Sequence, residues 1–285
     1  MLATREDINY WTEHNVTNHI KFSEVQASLN YLHWRNSQYL GYDQLMSTQG
    51  YDDKVVLDYG CGPGHDLVGL GYYSKPKKLY GLDVSQTSLH QAKIRLDLHE
   101  IDAELIQINT GESVLPFDDN SIDYIHCSGV LHHIPNYKVV LKEFKRIMKP
   151  DGTMKIMIYN YDSIWLHLYV AYIKKIVEEL YKNHDLLYAF SKTTDGPNCP
   201  TSYVFKPEVF VDLCNKEGLS CNYLGSAISL FELSLLPKRF EALMNINLPK
   251  EHRDFLLSLK FNEQGCPIYN NSIAGIDACY YIHKN

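Results

Sequence analysis

The run Val55-Val56-Leu57-Asp58-Tyr59-Gly60-Cys61-Gly62-Pro63-Gly64 carries the clearest chemistry in the chain. An apolar strand there enters a glycine-rich turn and then a helix starting near His65-Asp66-Leu67. Glycines reach backbone conformations closed to other residues and let a ligand lie directly on the main chain. In a doubly wound sheet such a turn stands where nucleotide-like ligands bind. The spacing is GxGxG rather than GxGxxG, and Asp58 stands two residues before the first glycine. A carboxylate there suits a ligand bearing an ammonium group and is a poor neighbour for a pyrophosphate, which argues against NAD. Asp83 lies nineteen residues beyond Gly64, at the end of the second strand. An acid in that place accepts hydrogen bonds from the two ribose hydroxyls of an adenosine; the competing reading is a turn or helix cap.

A second group follows the fourth strand. Leu131-His132-His133-Ile134 stands at the carboxyl edge of the sheet, where either histidine could act as a general base or could merely pack and orient. Tyr159, Asn160, Tyr161 and Asp162 follow the fifth strand and should line the same edge. Asp195, in Thr194-Asp195-Gly196-Pro197, either reaches the mouth of the site or makes the turn. Glu232, Arg239, His252 and Arg253 lie late in the chain. They read as a solvated face, or through Arg239 as a partner for an acidic substrate.

The elements that must position these residues are legible from periodicity. Short apolar runs at 55–60, 78–83, 103–108, 122–128 and 153–159 alternate with helical patterns at 88–98 and 139–148, the second closed by Pro150 and the turn Asp151-Gly152. That alternation predicts βαβ units and a parallel sheet. Residues 1–50 read as a helical, aromatic cap and 51–160 as the ligand-binding core. A lid helix over 163–181 and a turn-rich loop at 193–200 fall within 161–205. Residues 206–285 complete the sheet, with a helix at 208–217, strands near 221–229 and 278–283, and an insert over about 228–277. No internal repeat or low-complexity segment is present.

The chain has 285 residues, 45% hydrophobic and 21% charged, enough for one substantial core with appended caps. A formal net charge of −7 argues against nucleic acid as a partner, since the broad basic field such binding needs is missing. The seven cysteines are scattered without a CxxC pair, so neither a disulfide framework nor a zinc site is expected. The N-terminus shows no signal-peptide pattern, and the apolar stretch 164–173 is too short to span a bilayer. A cytoplasmic protein without a transmembrane segment is the expectation, with no metal.

Taken together, DYGCGPG, YGLDVSQTSLHQA, LPFDDNSIDYIHCSGVLHHI and FKRIMKPDGTMKIMIYN resemble the class I S-adenosylmethionine-dependent methyltransferases. Within that class they are most similar to the ubiquinone/menaquinone-type and other small-molecule methyltransferases. The resemblance covers about residues 50 to 160. It implies a Rossmann-like α/β fold with a doubly wound, mostly parallel seven-stranded sheet. It also implies S-adenosyl-L-methionine as cofactor, with Asp58 and the backbone of Gly60, Gly62 and Gly64 on the methionine moiety. Asp83 would hold the ribose, and Cys127 would supply main-chain contacts near the methyl donor. Many relatives carry an aspartate before the LPF stretch for the adenine amino group. This chain has Asn109-Thr110-Gly111-Glu112, so Asn109, Glu112 or a backbone carbonyl inherits that contact.

Methyl transfer is an in-line displacement, which needs alignment and at times removal of a proton. The extent of the caps favours a small enclosed acceptor, methylated at O, N or C, with Tyr10, Trp11, Tyr159, Tyr161, Asp195 and Arg239 as candidate walls. The rival readings are a lipid-quinone or lipid-linked sugar methyltransferase, a tRNA methyltransferase, and a non-catalytic adenosylmethionine-binding subunit.

Overall fold

The apolar runs become strands, the central ones buried on both faces, as strands covered by helices on two sides must be, and the edge strand partly exposed. In the computed structural model, which describes residues 2–14 and 20–285, they are β1 (Val55–Tyr59), β2 (Lys78–Asp83), β3 (Glu104–Gln107), β4 (Ile122–Ser128), β5 (Met148–Tyr159), β6 (Leu219–Ser229) and β7 (Asp277–Lys284). Residues 1 and 15–19 of the expected cap lie outside the described residues. Across the sheet the order is β3-β2-β1-β4-β5-β7-β6, with a two-residue strand, Tyr39–Leu40, paired antiparallel to the outer edge of β6. The first five strands are mutually parallel, and β7 runs antiparallel to both β5 and β6. This is the Rossmann-like, mostly parallel α/β sheet expected from the sequence.

Helices hold the faces. Tyr137–Ile147 turns Val140, Leu141, Phe144 and Ile147 inward, and Phe144 packs edge-on against Tyr59 at 4.9 Å. Burying each such side chain contributes about 1.5–3 kcal/mol. Gln86–Leu98 starts on the Ser85 hydroxyl, which accepts from the Ser88 N–H. The segment expected as a turn at Asp151-Gly152 is an irregularity within β5, where Tyr124 pairs with Thr153 and Ile122 with Met148.

The caps sit above the carboxyl ends of the parallel strands. The N-terminal part supplies helices Arg5–Glu13, Val25–Ser37 and Tyr42–Leu45. Trp165–Val177 is wound as a wide π-type helix, and the Glu178 N–H still donates to the Ile173 carbonyl five residues back. The insert between β6 and β7 holds short helices and a three-stranded antiparallel sheet of Lys260–Phe261, Pro267–Tyr269 and Ser272–Ile273. That small sheet has strands of two or three residues, too short to leave a period in the sequence.

Candidate active site

Two clefts open at the carboxyl edge of the parallel strands and share a wall. Counting their open mouths, the first spans about 800 Å³ and the second about 1430 Å³. Trp11, Gly60, Gly62, Pro63, Ser128, Gly129 and His133 line both, so the glycine loop stands where they meet.

The loop is tied down before any ligand arrives. The Gly60 and Cys61 N–H groups donate to the Leu82 carbonyl at 2.7 and 2.9 Å, and the Gly62 N–H donates to Asp83 at 2.8 Å. Gly60 has φ +75°, and a Cβ there would come within 2.2 Å of the Val130 side chain. Glycine is required at that position. Gly62 has open space above it, and Gly64, at φ +80°, starts the helix His65–Tyr73 from below, lining neither cleft.

Asp83 lines the first cleft. Each of its oxygens accepts one backbone N–H, from Gly62 and from Ser85, both at 2.8 Å. A carboxylate has about four acceptor sites, so capacity for two hydroxyls remains. Burial raises its carboxyl above the usual range against the pull of those N–H groups. Asp58 lies beneath the loop with Oδ2 unpartnered among the described residues, and burial pushes its carboxyl up to about 7.

Val84, Ile108, Val130 and Ile134 give the first cleft its apolar walls. Its cover is the N-terminal segment, with Leu2, Ala3, Asp7 and Trp11 facing in. Asp7 caps its own helix through Oδ2, which accepts from the Thr4 N–H and hydroxyl, and leaves Oδ1 buried without a partner among the described residues. Asn109 and Glu112 line neither cleft; Asn109 donates to Glu112 at 3.0 Å, and the Glu112 carbonyl accepts from the Leu2 N–H at 2.6 Å. Cys127 is fully buried outside both clefts, and its neighbours Ser128 and Gly129 supply the lining.

The two histidines part company. His132 is fully buried and lines neither cleft, with its ring 3.7 Å from that of Tyr159 and both nitrogens unpartnered among the described residues. Burial, with His133 beside it, holds its pKa well below the usual histidine value. His133 lines both clefts, and its Nδ1–H donates to the Thr201 carbonyl at 2.7 Å. A carbonyl can only accept, so in the neutral ring the free lone pair is on Nε2.

Asp195 lines the second cleft, accepting from the Tyr159 hydroxyl at 2.7 Å and from Ser202 at 3.0 Å. The Tyr10 hydroxyl donates to its carbonyl. Trp11 packs against His133 at 4.8 Å. His133, Asp195 and Cys199 bring donor atoms within 4.8 Å of one another. All three are already engaged internally, and burial pushes the Cys199 thiol up to about 12. Tyr161 and Arg239 line neither cleft: Tyr161 donates to Glu251 at 2.6 Å and Arg239 donates to the Leu256 carbonyl at 2.7 Å.

Several lining residues carry no signal in the sequence. Arg35 donates to Asp66 at 2.8 and 3.2 Å, and the Tyr42 hydroxyl lies 2.6 Å from Ser128 Oγ. The guanidinium holds the Asp66 carboxyl well below the usual range. Asp7 and Asp277 are also lining residues, brought in by a cap and by the last strand.

A glycine loop between two clefts at the carboxyl edge of the sheet, with an acid at the end of β2, defines a class. Residues 51–200 match the family model described as a methyltransferase domain. The chain belongs to that family, within the class I S-adenosylmethionine-dependent methyltransferases. Demethylmenaquinone methyltransferase from Geobacillus stearothermophilus is 26% identical over 243 residues, covering 79% of this chain and 99% of that protein. The Bacillus mycoides enzyme of the same name is 31% identical over 152 residues, 50% of this chain and 63% of its own. An uncharacterised 37.1 kDa protein in transposon TN4556 of Streptomyces fradiae is 32% identical over 135 residues, 45% of this chain and 38% of that one. These last two matches span less than two thirds of the relatives' length. Among solved structures, YcgJ from Bacillus subtilis superposes with a TM-score of 0.53 at 16% identity, covering 91% of this chain and 99% of that one. At that identity the likeness speaks for the fold.

Proposed function

We propose that this protein transfers a methyl group from S-adenosylmethionine to a small-molecule acceptor. The observation that carries the reading is the pair of clefts meeting at Gly60, Gly62, Ser128, Gly129 and His133. The residues present fit the cofactor. Asp83 has acceptor capacity for ribose hydroxyls; among the described residues Asp7 Oδ1 and Asp58 Oδ2 lack partners, the first suiting an adenine amino group and the second the ammonium of the methionine part. When bound, the cofactor supplies an electrophilic methyl group.

The chain's own residues do the rest. Trp11, Tyr159 and Asp195 wall the acceptor cleft, and His133 Nε2 is placed to hold or take a proton from the acceptor. His132, its ring tilted against that of Tyr159, keeps that wall in place. Residues 161–205 act as the lid, beside the cap over residues 1–50. Among the described residues no helix is long and apolar enough to cross a membrane. All seven cysteines are free, which supports a reducing, cytoplasmic setting. The acidic net charge supports a small molecule over nucleic acid.

A titration of the full chain with S-adenosylhomocysteine and, separately, with NAD tests the cofactor half of this reading. Micromolar or tighter binding of the first alone is expected. Asp83→Ala should weaken it about tenfold to a hundredfold with the fold intact, because hydrogen bonds to a charged acceptor contribute roughly 1.5–3 kcal/mol. NAD binding in place of adenosylhomocysteine would overturn the reading.

A further inference from the structure

The second cleft has a chemical character that the cofactor does not explain. Its walls carry six Trp, Tyr and Phe rings, those of Trp11, Tyr39, Tyr42, Tyr159, Trp165 and Phe231. Its charged lining residues are Arg35, Asp66, Asp195 and Asp277, three carboxylates against one guanidinium and no lysine. Arg35 is committed to Asp66 by two hydrogen bonds. Asp195 has both oxygens occupied, by Tyr159 and Ser202. Asp277 differs from both. It is 4% exposed, it faces the cleft, and its carboxylate accepts no hydrogen bond from any described residue.

An acid so deeply placed needs a partner, because an unpaired buried charge costs several kcal/mol. Aromatic faces attract cations, and a carboxylate among such faces selects an ammonium over a neutral or anionic group. Burial, offset by Arg35 and reinforced by Asp195, pushes the Asp277 carboxyl up to about 7, as expected of an acid waiting for its counter-ion. Resting on the methyl-transfer reading of the site, we infer that the small molecule taken by this cleft is an organic amine bound as its ammonium cation, with Asp277 as counter-ion and the aromatic walls around it. An anionic acceptor would face two carboxylates with no free cation. A quinone or other neutral acceptor would leave Asp277 buried and unpaired.

Isothermal calorimetry on the full chain saturated with S-adenosylhomocysteine tests this. The probes are 2-phenylethylamine and tryptamine, against the neutral 2-phenylethanol and the anionic phenylacetate. At least one amine should bind about tenfold tighter than the alcohol, with phenylacetate weakest. Asp277→Asn, nearly isosteric and free of the burial cost, should fold and should lose about tenfold or more of the amine affinity while adenosylhomocysteine affinity stays unchanged. Absence of amine binding, equal binding of alcohol and amine, tightest binding of phenylacetate, or an unaffected Asp277→Asn variant would each overturn the inference. The free protein is titrated in parallel. Amine binding there without adenosylhomocysteine binding would sink the methyl-transfer reading and leave the amine cleft standing; the reverse result would remove only the amine.

Discussion

His132 and His133 are neighbours in the chain with opposite surroundings. A histidine enclosed on all sides cannot exchange a proton with a bound molecule, and His132 is so enclosed. His133 is anchored through Nδ1 and presents its other nitrogen to the site. Replacing His133 with Ala should lower the single-turnover rate about a hundredfold if it acts as a base, while cofactor affinity survives. His132→Ala should act through packing, lowering the melting temperature by removing the ring against Tyr159 and slowing transfer less. Rapid-quench kinetics on both variants checks this, and equal rates would show that alignment alone carries the chemistry. The sequence singles out the pair but does not divide it. The division comes from the Thr201 carbonyl, sixty-eight residues away, which chain order does not reveal. Asp83 was legible because a strand end and a glycine loop fix its place locally. Asp277 was not, because nothing in Ile276-Asp277-Ala278 distinguishes a strand's first residue from any other turn acid.

At the scale of elements, strands and their alternating helices follow from apolar periodicity, so the sheet is readable in advance. The irregular parts are not, because short cap helices and two-residue strands are held by tertiary contacts rather than by their own pattern. The helix Leu230–Leu235 shows what such an element costs. It starts on a capping box in which the Ser229 N–H and hydroxyl both donate to Glu232 at 2.9 Å, yet Glu232 is fully buried with its other oxygen unpartnered among the described residues. Burial pushes its carboxyl up to about 8 from an ordinary 4.5. The folded state therefore binds the proton more tightly than the unfolded state, and stability falls as pH rises from about 4.5 to about 8. Glu232→Gln keeps the capping box and cannot ionise. It should be more stable than the natural chain near the top of that window, by on the order of 1–3 kcal/mol. Below the window the two should converge. Urea unfolding across pH checks the sign, and a pH-independent difference would show that Glu232 titrates alike in the folded and the unfolded chain.

For the whole molecule, the N-terminal cap covers the first cleft, and all the caps contribute walls to the second. Trp11 comes from the first cap, Trp165 and Asp195 from residues 161–205, and Phe231 from the late insert. These segments should gain hydrogen-exchange protection when adenosylhomocysteine and an acceptor analogue bind together, through residues 2–14, 20–50 and 161–205. Closure of such segments excludes water from the transfer. Protection confined to residues 55–130 would instead describe an open cleft for a large acceptor.

Because β7 runs against its neighbours, it delivers its first residue to the catalytic edge, where β1, β2, β4 and β5 deliver their last. Asp277 sits opposite Tyr159 for this reason. The late insert leaves the sheet at Ser229 and returns at Asp277, and both residues border the acceptor cleft. Its two ends are thus fixed by the sheet at nearly one point, while the forty-seven residues between them pack chiefly on the helix Trp165–Val177 and on one another. Such a segment is an exchangeable cassette. Its length and sequence can drift, or be swapped by design, to change which molecule is accepted while the machinery that supplies the methyl group is left as it is.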